Sequence, residues 1–218
     1  MTTVPVGIRV LIIDDHVMIA ESLRRMLDAC DDMAVVGLVG TGAEGLDAAR
    51  RLHPDVVLLD YRLPDIDGVK VAEQIVSESP SARIVMLTGD YDDSQLALRA
   101  IEAGCSGFLS KAQPVDELVA AVRAVNAGDA VIMPAVLGQL LPRLGRGYQG
   151  AGYRLSSRER EVLDRMAEGC TDKEIAQHLT IAVNTARKHV QSVIQKLEAH
   201  SKLQAVVIAV RHGLVYPK

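Results

Sequence analysis

Five polar side chains stand at the ends of separate apolar runs, and their chemistry suits a metal ion and an anion. Asp14 and Asp15 follow one run, Asp60 and Thr88 end two others, and Lys111 follows a fourth. Three carboxylates on one rim repel one another unless a hard cation lies between them, and oxygen ligands in this number suit Mg²⁺. The ammonium and the hydroxyl complete a pocket for an anion. A carboxylate flanked by Mg²⁺ and lysine can attack a phosphoryl group, because both cations stabilise charge on the transferred oxygens.

A parallel sheet would bring these residues together. Strand-like and helical patterns alternate five times, with strands near 8–14, 34–40, 55–60, 83–89 and 107–111 and helices near 17–29, 42–52, 68–78, 93–103 and 115–127. The strand runs are continuously apolar, as expected for strands covered on both faces. We predict an α/β doubly wound fold with a five-stranded parallel sheet, in which the carboxyl ends of the strands form a ligand crevice along one edge.

The chain changes character after this unit. Residues 129–153 begin with a helical pattern and become rich in glycine and basic residues, which is typical of a linker. From 154 to 218 the patterns are helical, and Ser156 with Glu159 and Thr171 with Glu174 have the spacing of capping boxes. A chain of 218 residues can hold two cores. We predict two domains, 7–128 and 154–218, joined by that linker.

The charge differs between the two parts. Residues 1–150 carry 13 Lys and Arg against 21 Asp and Glu, a net of −8, whereas residues 151–218 carry 11 against 7, a net of +4. This asymmetry favours a polyanion as the partner of the second part alone.

Three scattered cysteines indicate reduced thiols rather than disulfides or zinc. No apolar run is long enough to cross a membrane and the start lacks a signal-peptide pattern, so we expect a cytoplasmic protein.

The first part resembles the receiver domain of two-component response regulators. The resemblance covers about residues 7–128 and rests on "IIDDH", "VLLDYRLPDIDG", "MLTG" and "FLSKAQP" in this order and spacing. It implies a flavodoxin-like sheet with strand order 2-1-3-4-5 and a histidine kinase that phosphorylates Asp60. The implied Mg²⁺ ligands are Asp14, Asp15, Asp60 and the backbone carbonyl of Arg62. Thr88 and Lys111 would bind the phosphoryl oxygens, and Phe108 would be an aromatic switch that turns inward.

The second part resembles the LuxR-type helix-turn-helix domain, and the two together resemble the NarL class of response regulators. The motifs are "LSSREREVLDRMAEGCTDKEIAQHL" and "TARKHVQSVIQKL". The helix near 183–198 has one apolar face and one polar face, as a helix that reads the major groove requires. By the family pattern, the base-reading residues are Arg187, Lys188 and Gln191. Lys173, Thr185 and His189 would be phosphate contacts or packing residues. An ordinary solvated helix face is the alternative.

The last helix, which follows Ser201, is apolar around more than half of its circumference. Leu203, Val206, Val207 and Val210 belong to this surface, and one small domain is not expected to cover all of it. A homodimer, through these residues or through the receiver, would cover it, and two-fold dimers read paired DNA half-sites.

We therefore predict a phosphorylation-dependent transcriptional regulator that is not an enzyme. One rival is a Mg²⁺-dependent phosphatase with an aspartyl-phosphate intermediate. Such enzymes commonly carry a second acid two residues after the nucleophile, and Arg62 in that place weighs against turnover. The other rival is a phosphate-independent DNA-binding regulator whose receiver acts as a dimerisation or ligand module.

Overall fold

The computed structural model describes residues 7–89, 94–132, 136 and 153–215. Along the chain its elements are β1 (Ile8–Ile13), α1 (Val17–Asp28), β2 (Met33–Val39), α2 (Gly42–Leu52), β3 (Val56–Asp60), α3 (Gly68–Glu78), β4 (Arg83–Thr88), α4 (Ser94–Glu102), β5 (Gly107–Ser110), α5 (Val115–Ala127), β6 (Val131–Ile132), α6 (Ser157–Ala167), α7 (Asp172–His178), α8 (Val183–Lys196) and α9 (Lys202–Arg211). Among the described residues, no helix is long and apolar enough to cross a membrane.

The strands form one parallel sheet in the order β2-β1-β3-β4-β5-β6. The α/β doubly wound prediction and the 2-1-3-4-5 order are confirmed. The sequence does not predict β6, because this strand has only two residues and lies inside the proposed linker. Gly128 ends α5 with a left-handed φ of 96°, where glycine is unstrained, and the chain then turns back along β5. Most of residues 129–153, including the predicted helical start apart from Val136, lie outside the described ranges.

Apolar cores cover both faces of the sheet, which explains the continuously apolar strands. Val10 and Ile12 of β1 point into a core with α1 and α5. Leu11 and Ile13 point to the opposite core, formed with α2, α3 and α4. This second core continues into the helices α6 to α9. The two units therefore share apolar surface.

Side-chain caps begin three of the four described helices in the second unit. Ser156 and Thr171 both form complete capping boxes with Glu159 and Glu174, as predicted. Ser201 begins α9 by accepting a hydrogen bond from the Gln204 amide. At the start of α8, Ala182 has no side chain that could cap the helix.

Candidate functional site

The carboxyl ends of β1 and β3 place two buried carboxylates side by side. Asp14 directly follows β1 and Asp60 is the last residue of β3, and both are almost fully buried. Because β1 and β3 are neighbouring parallel strands, their ends lie at the same edge of the sheet. Asp15 is the most exposed member of the acidic set. The acids that the sequence singles out are thus brought together.

Lys111 crosses from the end of β5 to both buried acids. Its Nζ lies 2.7 Å from Asp60 Oδ2, to which it donates a hydrogen bond, and 2.7 Å from Asp14 Oδ2. The contact with Asp14 is an ion pair whose angles fall outside hydrogen-bond limits. One ammonium therefore neutralises part of the charge of two carboxylates.

The electrostatics of Asp60 reflect this crowding. Burial raises the pKa of its carboxyl above the ordinary value, and the negative charge of Asp14 raises it further. The hydrogen bond and positive charge of Lys111 and the Arg62 amide, which donates to Asp60 Oδ1 at 3.2 Å, act in the opposite direction. A further cation beside the acids would favour the ionised form that a nucleophile requires.

A cavity of about 320 Å³ opens in front of Asp60. Thr88, Arg62 and Lys111 line it together with the Asp60 carboxylate. The space fits a tetrahedral anion beside a hydroxyl and an ammonium. Asp90, which could face Arg62 across the crevice, lies outside the described ranges.

The turn after β3 keeps this space open. Asp67 caps α3 by accepting from the Val69 amide at 2.8 Å. Gly68 lies so close to the strand end that a Cβ atom there would come within 2.4 Å of the Asp60 carbonyl oxygen. Asp65 accepts hydrogen bonds from the Gly42 and Ala43 amides and so fastens the turn to the start of α2. Within residues 61–67, Tyr61 and Arg62 line the cavity, and the rest of the turn leaves it open.

Phe108 is fully buried in the core below α4. The resemblance implies an inward position for this ring after phosphorylation. In this structure the ring is already inward.

His16 is a member of the acidic cluster that the sequence argument missed. Its Nδ1 lies 2.8 Å from Asp15 Oδ1 and 3.2 Å from Asp14 Oδ1. The histidine follows the acidic pair directly, and this adjacency was the available signal.

The second surface of interest is the polar face of α8. Arg187, Lys188 and Gln191 are exposed, whereas Ala186, Val190, Val193 and Ile194 are buried. Lys173 and Thr185 are exposed and His189 is half-buried. The structure therefore places the predicted base-reading residues on the face of α8 that does not pack in the core.

Comparison with known proteins identifies the family of each part of the chain. Residues 10–123 match the family model "Response regulator receiver domain", and residues 153–209 match "Bacterial regulatory proteins, luxR family". The chain belongs to the two-component response regulators. It is 37% identical over 210 residues to the transcriptional regulatory protein LiaR of Bacillus subtilis, which covers 95% of this chain and 99% of LiaR. The response regulator protein VraR of Staphylococcus aureus is 33% identical over 208 residues, covering 95% of this chain and 99% of VraR.

A solved structure gives the same assignment for the fold. A LuxR-family response regulator from Aurantimonas sp. SI85-9A1 superposes with a TM-score of 0.59 at 31% identity, covering 63% of this chain and 97% of that one. This response regulator is thus a transcriptional regulator of the NarL class, with a receiver followed by a LuxR-type helix-turn-helix.

The receiver and the helix-turn-helix region of this regulator meet at a buried lysine. Lys202, the first residue of α9, is only 5% exposed. Its Nζ lies 3.1 Å from Asp129 Oδ1 of the receiver side and 3.0 Å from Asp172 Oδ1 at the start of α7. The Asp172 amide donates to the same Asp129 oxygen at 3.1 Å. Charge-assisted hydrogen bonds therefore join the two regions across a desolvated contact.

Further polar contacts hold α9 against α4 and the loop between α4 and β5. The Ser201 hydroxyl donates to the Cys105 carbonyl at 3.0 Å, and the Gln204 amide group donates to the Glu102 carbonyl at 2.7 Å. Arg211 pairs with the Glu102 side chain. The start and the end of α9 are both fixed to the receiver.

The apolar surface of α9 is covered within this one chain. All four proposed dimer residues are buried (Leu203, Val206, Val207 and Val210). The expectation that a second copy must cover them overlooked the receiver, since α9 contacts α4 as well as α6 and α8. In this arrangement these residues are not available to a partner.

The recognition face of α8 also lies near the receiver. Arg187 and Gln191 line a cavity of about 140 Å³ whose opposite wall includes Arg83 and Asn126 of the receiver. The Arg187 Nε lies 3.7 Å from Asp172 Oδ2, beside the buried lysine. The receiver thus borders one side of the recognition face, while Arg187 and Gln191 remain exposed.

Proposed function

We propose that Asp60 is the residue that receives a phosphoryl group from a partner histidine kinase and that this transfer controls DNA binding. The observation that carries the proposal is the buried Asp60 carboxylate with the Lys111 ammonium at 2.7 Å and an open cavity in front. In the reaction an Asp60 oxygen attacks phosphorus, the bond from phosphorus to the kinase histidine nitrogen breaks, and a new phosphorus–oxygen bond forms. The chain acts as phosphoacceptor and not as an enzyme with a released product.

Each neighbouring residue has a defined role in this proposal. Lys111 leaves its ion pair with Asp60 to accompany the negative charge of the transferred oxygens, and the Thr88 hydroxyl donates to one of them. Mg²⁺ bound by Asp14, Asp15, Asp60 and the Arg62 carbonyl would supply charge stabilisation for the transferring oxygens. The donor set fits this ion, because it consists mainly of hard oxygen ligands on one rim.

DNA recognition belongs to the second region. We assign a receiver domain to residues 7–128, a linker to 129–153 and a DNA-binding domain to 154–218. Arg187, Lys188 and Gln191 would read base edges in the major groove of double-stranded DNA, and Lys173, Thr185 and His189 would contact phosphates or support the helix. Because its proposed partners are DNA and a kinase that must reach Asp60, we place the protein in the cytoplasm.

The observed arrangement corresponds to the resting state in this proposal. The Lys202 contacts hold α9 on the receiver, where its covered apolar residues cannot meet a second α9. Phosphorylation of Asp60 would shift the population towards an open form, in which Leu203, Val206, Val207 and Val210 can meet a second copy.

Phosphodonor treatment of the full chain tests the proposal. Acetyl phosphate with Mg²⁺ should add one phosphoryl group to the wild type, measured by intact mass, and should raise both DNA affinity and oligomeric mass. Asp60→Asn should abolish all three changes, while Asp31→Asn, which removes an exposed acid of the same domain, should leave them intact. If Asp60→Asn instead binds DNA as tightly as the phosphodonor-treated wild type, with and without the phosphodonor, the phosphate-independent rival would be supported.

A further inference from the structure

The ring nitrogen of His16 faces the same point as the carboxylates of the acidic cluster. One ligand atom from each of Asp14, Asp15, His16 and Asp60 lies within 4.8 Å of the others. The His16 Nδ1 is 2.8 Å from Asp15 Oδ1, 3.2 Å from Asp14 Oδ1 and 3.6 Å from Asp60 Oδ2. The cluster therefore offers a nitrogen donor beside its oxygens.

These spacings match the edges of a metal coordination shell. Two ligands that each bind a metal at about 2.1 Å from adjacent corners of an octahedron lie about 3 Å apart. The separations of the His16 nitrogen from the two aspartates after β1 are close to that value. Only small side-chain movements would bring all three groups onto one ion.

The backbone holds His16 in this place. It is the residue before the first turn of α1, and its amide donates to Asp14 Oδ1 at 2.9 Å. The Lys111 ammonium contacts Oδ2 of Asp14, whereas His16 contacts Oδ1 of the same carboxylate. Asp60 Oδ2 is the oxygen shared by both groups, since it lies 3.6 Å from His16 Nδ1 and 2.7 Å from Lys111 Nζ.

We propose that His16 is a nitrogen ligand of the receiver metal site and that it makes the site prefer divalent transition-metal ions. The inference rests on the proposed function, since it adds a ligand to the metal site described there. Imidazole binds Co²⁺, Ni²⁺ and Zn²⁺ well, whereas Mg²⁺ is a hard ion that takes oxygen ligands and keeps its waters. His16 thus increases affinity for the first group and leaves Mg²⁺ binding to the carboxylates.

Metal titration of the full-length protein tests this assignment. Calorimetry with Co²⁺ and separately with Mg²⁺ should show that His16→Ala lowers the Co²⁺ affinity by about tenfold or more, which is the scale of losing a supporting ligand interaction. The Mg²⁺ affinity should change by less than about twofold. Pulsed electron paramagnetic resonance of bound Mn²⁺ should show a histidine nitrogen coupling that disappears in His16→Ala.

Two control variants separate the possible failures. His53→Asn removes another histidine of the receiver at a left-handed position that asparagine tolerates, and it should change none of these signals. Asp15→Asn should weaken both metals. If it weakens neither, the proposed metal site itself is wrong. If it weakens both while His16→Ala binds Co²⁺ like the wild type, only the His16 assignment is overturned. Tighter binding of both ions by His16→Ala would also overturn it, because the ring would then compete with the metal.

Discussion

Asp129→Ala should open the resting protein without changing a residue that we assign to phosphoryl transfer or to base reading. Asp129 lies after α5, outside the acidic cavity and outside the DNA-binding helices. Its Oδ1 accepts hydrogen bonds from Lys202 Nζ and from the Asp172 amide, both at 3.1 Å. Lys202 keeps its contact with Asp172, so the helical region should remain folded. An effect on DNA binding larger than that of removing one negative charge must then come from the contact between the domains.

The size of the effect follows from these two hydrogen bonds. Hydrogen bonds that involve a charged group contribute about 1.5 to 3 kcal/mol. The Asp129 side chain is 17% exposed, so water can replace part of the lost hydrogen bonding. We therefore assign about 1.5 to 3 kcal/mol to the two hydrogen bonds together and not to each one. Each 1.4 kcal/mol is a factor of about ten, so the ratio of open to closed molecules should rise about 10- to 100-fold. The gain in DNA affinity is limited by the fraction of wild-type molecules that is already open.

Fluorescence anisotropy would measure this gain on unphosphorylated protein, with a duplex selected in vitro by the phosphorylated wild type. Asp116→Ala is the matched control, because Asp116 is an exposed acid of the receiver with the same charge. Its effect on DNA affinity measures the reduced electrostatic repulsion of DNA without any change in the contact between the domains. Small-angle X-ray scattering should show a larger radius of gyration for Asp129→Ala only. Equal DNA affinity of the two variants, or an unchanged radius of gyration, would refute the reasoning.

Three further predictions concern single side chains. Ala182→Ser should supply the missing cap of α8 and stabilise the helical domain by about 0.5 to 2 kcal/mol, seen by calorimetry as a higher melting temperature; an unchanged melting temperature would count against the cap argument. Hydrogen bonds from Lys196, Ser192 and the Ser156 amide lower the pKa of Glu159 to about 2. Because the pKa is lower in the folded protein than in the unfolded chain, ionised Glu159 stabilises the folded state by up to about 3 kcal/mol. This contribution is complete above pH 4.5 and is lost as the pH falls towards 2. Glu159→Gln should flatten that acid dependence in thermal unfolding, and an unchanged slope would contradict the assignment. Arg62→Ala should shorten the lifetime of the phosphorylated protein, because Arg62 lines the cavity through which water reaches Asp60; an unchanged dephosphorylation rate would exclude that role.

The receiver was predictable because its signals are local. Continuous apolar runs such as β3 identify buried strands, and the glycines and acids after them identify the turns. The placement of Asp60 and Lys111 then follows from topology, since the ends of parallel strands meet at one edge. Caps such as Ser156 with Glu159 identify helix starts in the same local way.

The exceptions have different physical causes. The strand β6 has only two residues, which is too short to show the pattern of apolar residues that identifies a strand. It forms because β5 offers an unpaired edge beside Gly128. The His16 contact could not be derived from residue type alone, because an exposed histidine next to acids is usually a solvated residue. Its ring position depends on the backbone at the start of α1, which the pattern does not encode.

The surface of α9 shows why an apolar pattern cannot name the partner that covers it. The apolar pattern correctly predicts that Val206, Val207 and their neighbours are buried, but the receiver and a second copy of the chain would bury them equally well. The polar residues decide between the two, because Lys202 is buried against Asp129 only when α9 lies on the receiver. Leaving that contact exposes apolar surface and separates a buried ion pair, so opening is unfavourable until a second α9 or DNA offers replacement contacts. The free energy that favours the closed form over the open form is therefore the free energy that dimerisation on DNA must exceed. The Asp129→Ala variant lowers the stability of the closed form and leaves the dimer contacts on DNA unchanged.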